Sequence, residues 1–199
     1  MSNARLGGGR KIAVCVGGVS GVGKTTLLSE YTRLFAQDLQ VTGSAIVKAI
    51  IAPSTVNELD SWSLERRQAV RERSIHELRK LLHESDGRLL IDGHFTLRNR
   101  TTSLLEPIFT PEDKSFFQAL VLITPDPELV LVQRLGDERD RPPESIDDIA
   151  EHMAFELCEG RRLSKEMDVP LLELTEPDLP SRLHSLANFL NAIALKGMR

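Results

Sequence analysis

The sequence predicts an α/β protein with three layers, in which helices cover both faces of a five-stranded parallel sheet. Two observations lead to this fold class. Short apolar runs alternate along the chain with longer segments whose apolar residues recur every three or four positions, as when strands alternate with helices. The apolar runs are also continuous, which is typical of parallel strands buried on both faces.

The first half of the chain supplies three strands and two helices. The run KIAVCV at 11–16 predicts the first strand, and apolar residues at helical spacing predict a helix over 25–37. The run SAIVKAI at 44–50 is the second strand candidate. A long helix is predicted over 64–83, and an Asp-Gly pair separates it from the third strand, RLLID at 88–92.

The second half supplies two strands and three helices. The run ALVLIT at 119–124 predicts the fourth strand, and two prolines flank the start of a helix that ends near residue 135. Helical periodicity returns over 146–167. The run VPLLEL at 169–174 predicts the fifth strand, and a closing helix is predicted over 179–195.

The chain is expected to form a single domain at 11–199, after a flexible segment at 1–10. Its 199 residues, of which 41% are hydrophobic, suffice for one sizeable core. Two stretches, at 57–63 and 98–114, fit the layered pattern poorly. We expect them to form loops that overhang a site.

The composition argues against several classes of protein. The net charge of -4 makes nucleic acid an unexpected partner, because general nucleic-acid binders are usually basic. No run approaches the ~18 apolar residues that a membrane span needs, and the first ten residues lack the apolar part of a secretory signal. We therefore expect a cytoplasmic protein, with Cys15 and Cys158 as reduced, buried thiols. Association into a homo-oligomer is left open.

The stretch GGVSGVGKTT at 17–26 follows the first strand and opens the first helix. It contains the pattern G-x-x-x-x-G-K-[ST], in which glycines let the backbone turn its N–H groups inward. The N-terminus of the following helix also favours a phosphate. The pattern predicts a P-loop, in which the lysine reaches the β- and γ-phosphates of ATP and the threonine hydroxyl holds Mg²⁺. The residues expected to bind ATP are Gly18, Val19, Ser20, Gly21, Val22, Gly23, Lys24, Thr25, Thr26 and, later in the chain, Arg134.

The loop narrows the fold class to a P-loop NTPase or kinase fold, for which we expect the strand order 2-3-1-4-5. RLLIDGH then ends the third strand on Asp92, where such proteins keep an aspartate that orients the magnesium shell. An ordinary Asp-Gly turn is the alternative. Motor ATPases usually carry a water-activating glutamate at the next position, which Gly93 occupies here, and no Asn-Lys-x-Asp pattern for guanine is present. Phosphoryl transfer to an organic acceptor is therefore favoured over hydrolysis.

Other candidate residues follow from their positions near this edge of the sheet. His94 is predicted to contact the acceptor or a magnesium-bound water, or else to fix the next loop. The stretch GDERDRPPES at 136–145 is predicted to be a small lid, because arginines on a closing loop can bind phosphate oxygens and exclude water. The alternative is a solvated charge cluster. The lid arginines are Arg134, Arg139 and Arg141.

These motifs together resemble the archaeal-type adenylate kinases and the related ribosome-associated adenylate kinases. The resemblance covers about 11–195 and rests on the P-loop, the Asp-x-His element, RLGDERDR, SIDDIAEHMAFE and VPLLEL. It implies a five-stranded parallel sheet, ATP as donor and a nucleoside monophosphate as acceptor. It also implies that the P-loop binds the ATP phosphates, that Asp92 lies beside Mg²⁺, and that the three lid arginines approach the transferring group.

The sequence departs from that family in the acceptor-side region at 43–75. The family pattern would place an arginine near Asp60 to hold the monophosphate, but Asp60 is acidic and would repel it. Arg66, Arg67 or Arg98 would then have to take over. The acceptor could instead be another nucleotide, a nucleoside or a different small alcohol.

The leading hypothesis is an ATP- and Mg²⁺-dependent phosphotransferase that acts on a small acceptor, with a nucleoside monophosphate as the first candidate. Two alternatives stay open. A nucleotide-dependent switch or assembly ATPase would use His94 to act on water, and a nucleoside or sugar kinase would use Asp60 or Glu58 as its base. The residues expected to act on the transferring group are Lys24, Asp92, Arg139 and Arg141.

Overall fold

The computed structural model describes residues 11–136 and 144–196. The strands are β1 (Ala13–Gly17), β2 (Leu39–Thr42), β3 (Leu89–Asp92), β4 (Thr96–Arg98), β5 (Leu105–Pro107), β6 (Ala119–Ile123) and β7 (Leu171–Leu174). The α-helices are α1 (Lys24–Leu34), α2 (Gly43–Ile51), α3 (Leu64–Glu84), α4 (Pro111–Phe116), α5 (Pro127–Leu135), α6 (Ile146–Met167) and α7 (Leu179–Lys196). A 3₁₀ helix spans Val56–Ser61. The expected flexible segment at 1–10 lies outside the described residues.

The central sheet has five parallel strands in the order β2-β3-β1-β6-β7. Counted within this sheet alone, the order is the expected 2-3-1-4-5. The strand numbers along the chain differ because β4 and β5 intervene as a separate antiparallel hairpin. This hairpin and α4 occupy the stretch at 98–114 that was expected to be a loop. The predicted α/β fold class is confirmed.

The second strand was placed wrongly by the sequence. Residues 44–50 lie in α2, and the second strand is the shorter segment β2, which pairs only with β3 at the edge of the sheet. A short apolar run does not distinguish a strand from a helix by periodicity. In α2, Ile46 packs on the core and Ile51 is buried, whereas β2 is half exposed and contains polar residues.

Two apolar clusters lie on the two faces of the sheet, because successive side chains of a strand point to opposite faces. Val14 and Val16 of β1 pack in the cluster that includes buried residues of α1, α5 and α7. Ala13 and Cys15 pack in the other cluster, with residues of α3, α4 and α6.

The prediction of buried thiols holds for Cys15 and is wrong for Cys158, which lies on the exposed side of α6. None of the described helices is long and apolar enough to cross a bilayer.

Phe95 fixes the segment that follows β3. Its ring is fully buried and meets the ring of Phe109 edge-on at a centroid distance of 5.7 Å. A Cβ atom on Gly17 would lie 2.9 Å from this ring, and a Cβ atom on Gly160 would lie 2.8 Å from it. The ring therefore occupies the space that two glycines leave, one at the end of β1 and one on α6.

Gly160→Ala is expected to destabilise the protein by about 1–3 kcal/mol, because the added methyl group overpacks against the Phe95 ring. The better helix propensity of alanine offsets only about 1 kcal/mol of this cost. Chemical denaturation measures the difference. Gly136→Ala is the matched control, since its Cβ would meet no atom closer than 3.9 Å. Equal stability of the two variants would contradict the close packing of the Phe95 ring against Gly160.

Candidate active site

The loop between β1 and α1 has the backbone geometry that the glycine pattern predicts. Gly18, Gly21 and Gly23 have φ angles of 130°, 92° and 90°, a region that side chains disfavour. A Cβ on Gly18 would also lie 2.8 Å from the carbonyl oxygen of Ile123. Val19 and Val22 bury their side chains in the core, so they contribute backbone groups to the loop. Thr26 is exposed in the first turn of α1 and lines the adjoining cavity.

Three basic side chains bind carbonyl oxygens of this loop. The Lys24 ammonium donates to Gly18 O at 2.5 Å and to Val19 O at 3.2 Å. Arg134, in the last turn of α5, donates from Nε to Ser20 O at 2.8 Å, and Arg182 of α7 donates from Nη1 to Val22 O at 3.0 Å. These contacts fix the positions of the loop's carbonyl groups.

Arg182 was not identified from the sequence. It is 4% exposed, its Nε donates to Glu176 O at 2.5 Å, and its Nη2 is buried without a hydrogen-bond partner. The surrounding sequence has the spacing of an ordinary amphipathic helix, so no local signal marks it. Arg134 also pairs with Glu144 through Nη1. Arg139 and Arg141 lie outside the described residues, as does most of the predicted lid.

Thr25 and Asp92 lie side by side at the end of the sheet. Parallel pairing places Val16 opposite Asp92, so the start of α1 and the end of β3 meet. The Thr25 hydroxyl donates to Asp92 Oδ2 at 2.5 Å. Hydroxyl and carboxylate oxygens are hard ligands that suit Mg²⁺, which usually completes its shell with water and phosphate oxygens. The two side chains therefore fit the predicted metal role. The described residues contain no cluster of three or more His, Cys, Asp or Glu that could hold a metal.

A central cavity of about 1190 Å³ opens beside these residues. It is bounded by the P-loop, the end of β3, α2, the 3₁₀ helix, α3 and the β4–β5 hairpin. Such a volume exceeds the usual range of small-molecule sites, which is about 300–1,000 Å³, so it has room for two ligands. The acceptor-side region predicted at 43–75 forms much of the wall opposite the P-loop.

Of the predicted acceptor residues, Asp60 and Arg98 line this cavity and Arg66 does not. Asp60 accepts a hydrogen bond from Arg100 N at 3.1 Å, which ties the 3₁₀ helix to the hairpin turn. Arg98 pairs with Glu151 at 2.8 Å and donates to Ser103 O at 3.1 Å. The guanidinium of Arg66 lies over the Trp62 ring, 3.4 Å from its centroid.

Arg67 and Arg71 are the α3 arginines that line the cavity. Arg67 pairs with Glu106 at 2.6 Å, and Arg71 lies 3.5 Å from the buried carboxylate of Asp113. The Nε atom of each arginine is buried without a hydrogen-bond partner. The sequence placed Arg66 and Arg67 equally near the site, because only the packing of α3 decides which face of the helix turns inward.

His94 lies half-buried beside the P-loop. Burial and then the Lys24 ammonium lower the pKa of His94 well below its usual value, and a hydrogen bond to the backbone of Gly18 opposes this. Its imidazole is therefore neutral near pH 7. The Nδ1 atom lies 3.4 Å from Glu156 Oε1 of α6.

Glu156 is a fully buried carboxyl group behind the site, and it was not identified from the sequence. Its Oε2 accepts a hydrogen bond from Phe95 N at 3.0 Å. Burial raises the pKa of Glu156 to about 7. His152, one turn earlier on α6, is also buried, and burial lowers its pKa. In the sequence this glutamate is one acidic residue among several on an amphipathic helix, so its role is visible only in the fold.

Glu156→Gln is expected to become more stable relative to the wild type as pH rises. The folded protein keeps this proton up to about pH 7, whereas the unfolded chain loses it near the ordinary value of 4.5. The stability present below pH 4.5 is therefore lost in the wild type as pH rises through 7, by about 3 kcal/mol at most. The amide has no proton to lose.

Urea denaturation of both proteins from pH 4.5 to pH 8 measures this difference. His94 and His152 titrate in the opposite sense, because burial lowers their pKa, and Lys24 also faces Glu156. The variant is therefore compared with the wild type at each pH. A stability difference that does not change with pH would contradict the buried, proton-binding carboxyl.

Comparisons with known proteins agree with this geometry. No curated protein matches the sequence. The shikimate kinase of Acinetobacter baumannii, solved in complex with shikimate, is similar in structure with a TM-score of 0.60 and 14% identity, over 92% of this chain and 94% of that chain. The shikimate kinase of Bacteroides thetaiotaomicron has a TM-score of 0.54 and 14% identity over 90% and 98% of the two chains. A gluconokinase from Sinorhizobium meliloti 1021 has a TM-score of 0.52 and 13% identity over 94% and 99%.

At this low identity the similarities show the fold alone, which is that of the P-loop kinases. The adenylate kinase-like subtype that the sequence motifs suggest is not among the similar structures named above and stays a prediction. A family model described as an AAA domain (AAA_17) matches residues 17–150, from the P-loop to the start of α6. The matched range holds Lys24, Thr25, Asp92 and most of the residues that line the cavity, and the chain belongs to this AAA domain family.

Proposed function

We propose that this protein is a kinase that transfers the γ-phosphoryl group of ATP to a small anionic acceptor in the central cavity. One observation supports this most directly. Lys24 and the Thr25–Asp92 pair stand at one end of the cavity, and Arg67 and Arg71 line the wall formed by α3. The donor site and the arginines of α3 thus line the same cavity.

On the donor side, the residues bind and neutralise a polyphosphate. The inward N–H groups of the P-loop and the Lys24 ammonium offset its negative charge, which favours phosphoryl transfer. Thr25 and Asp92 are the residues that would hold Mg²⁺. When bound, this ion would neutralise phosphate charge and orient the oxygens. Arg134 holds Ser20 of the loop, and Arg139 and Arg141 stay predicted lid residues that would exclude water.

On the acceptor side, the cavity favours an anion. Arginine forks match phosphate and carboxylate oxygens, and among the described residues eight lysines and arginines line the cavity against six aspartates and glutamates. A nucleoside monophosphate is the acceptor that the adenylate kinase-like motifs favour. An alcohol that carries a carboxylate is the other candidate acceptor, since one of the structurally similar kinases was solved with shikimate. His94 would contact the acceptor, and Asp60 would border it.

Transfer is proposed over hydrolysis because Gly93 follows Asp92 and offers no side chain to activate water. Asp60 accepts a hydrogen bond from the hairpin turn, which supports a structural role for it more than the role of a base. The protein is proposed to act in the cytoplasm and to use ATP and Mg²⁺. Association into a homo-oligomer stays a prediction.

Lys24→Ala is expected to lower acceptor-dependent ADP formation by at least about 100-fold, because the ammonium that neutralises the transferring group is lost. ADP release is measured with ATP and Mg²⁺ against a panel of nucleoside monophosphates, carboxylated polyols, nucleosides and neutral sugars. Lys80→Ala is the control, since Lys80 pairs with Glu77 on the exposed side of α3, away from the cavity.

The acceptor panel separates the proposal from its alternatives. Turnover that depends on an anionic acceptor supports it. Turnover without any acceptor would indicate a nucleotide-dependent switch, and a preference for neutral acceptors would indicate a nucleoside or sugar kinase. Either of these results would contradict the proposal.

Arg71→Lys is expected to raise the KM for the acceptor about 10-fold and to leave the KM for ATP unchanged. Lysine keeps a positive charge beside Asp113 but loses the planar fork that binds two oxygens of an anion. Steady-state kinetics measures both constants. Arg73→Ala on the exposed side of α3 is the control, and an equal rise of both KM values would contradict an acceptor role.

A further inference from the structure

We propose that Glu156 is a positioning residue that holds His94 and the segment after β3 against the P-loop. This inference rests on the proposed function for its effect on the rate, whereas the contacts themselves can be tested without turnover.

The first contact anchors the backbone. Glu156 Oε2 accepts a hydrogen bond from Phe95 N at 3.0 Å, and the carboxyl group is completely buried. Phe95 comes three residues after Asp92, so this bond fixes the segment that begins at the predicted metal ligand. A buried N–H group that loses its acceptor is left unsatisfied, so the segment would move to find another acceptor.

The second contact reaches His94. Its Nδ1 atom lies 3.4 Å from Glu156 Oε1, and both atoms are buried and have no hydrogen-bond partner among the described residues, so each is the nearest polar group that the other is shown to meet. The backbone of Gly18 also interacts with the imidazole. A line of contacts therefore runs from α6 through Glu156 and His94 to the first glycine of the P-loop motif.

The spacing on α6 strengthens this arrangement. Glu156 and Gly160 are four residues apart and lie on the same face of the helix. Glu156 binds the backbone of Phe95, while Gly160 leaves space for its ring, which packs onto Gly17 at the end of β1. His152 lies one turn before Glu156, and its Nε2 is buried without a partner. One face of α6 thus supports the segment between Asp92 and β4.

The experiment compares Glu156→Ala with Glu156→Gln in the full chain. Glutamine keeps an oxygen for Phe95 N and a second polar group for His94, whereas alanine removes both. We expect Glu156→Ala to lower kcat about 10- to 100-fold, because small misplacements of reacting groups have such effects. The KM for ATP should change little, and Glu156→Gln should stay within about 3-fold of the wild type.

Two controls separate positioning from loss of stability. Glu159→Ala removes another buried carboxylate of α6, which pairs with Arg162 at 2.7 Å, and it should lower the Tm without lowering kcat. In a His94→Ala background, Glu156→Ala should cost much less than in the wild type, because the contact it serves is already absent. An equal loss in both backgrounds, or an unchanged kcat, would overturn the proposal.

A measurement that does not use turnover keeps this result distinct from the kinase proposal. Amide hydrogen exchange of Phe95 should be slow in the wild type and in Glu156→Gln, and fast in Glu156→Ala. The ¹⁵N signals of the His94 ring should shift in Glu156→Ala. If no acceptor supports turnover, these spectra still decide the positioning role, and an unchanged Phe95 exchange rate would overturn it.

Discussion

The parallel pairing of β1 with β3 is the constraint on which the candidate site depends. It places Val16 opposite Asp92, so the chain leaves both strands at the same edge of the sheet. The P-loop begins there, and the Thr25 hydroxyl meets the Asp92 carboxylate at 2.5 Å. Because side chains on both faces of β1 are buried, this register cannot slip without exposing the core.

The shape of the P-loop depends in turn on cations that bind its carbonyl groups. Lys24, Arg134 and Arg182 bind carbonyl oxygens of Gly18, Ser20 and Val22. They come from three different helices, so the shape of the loop depends on how α1, α5 and α7 pack on the sheet. Cations that hold carbonyl groups also raise the positive potential that a polyphosphate meets.

The features that could be predicted are those that depend on neighbouring residues in the sequence. The P-loop was found because its spacing and its place between a strand and a helix are fixed by neighbouring residues, and Asp92 was found because it ends a buried strand. The second strand was missed because β2 is a short edge strand and the more apolar run beside it forms α2.

Residues that act through tertiary contacts could not be predicted in the same way. Arg67 and Arg66 are neighbours in sequence, yet one lines the cavity and the other stacks on Trp62. Arg182 and Glu156 become visible only when α7 and α6 are packed against the loop and against the segment after β3. Helical periodicity shows that such a helix has a buried face but does not show what that face meets.

Gly93 bears on the balance between phosphoryl transfer and ATP hydrolysis in the proposed reaction. A Cβ there would lie 3.4 Å from Cys15 Sγ, which is an ordinary contact, and the backbone does not have a positive φ. Packing therefore tolerates a side chain at this position. In the proposed kinase, the lack of a carboxylate beside Asp92 would slow the reaction of the bound nucleotide with water before the acceptor arrives.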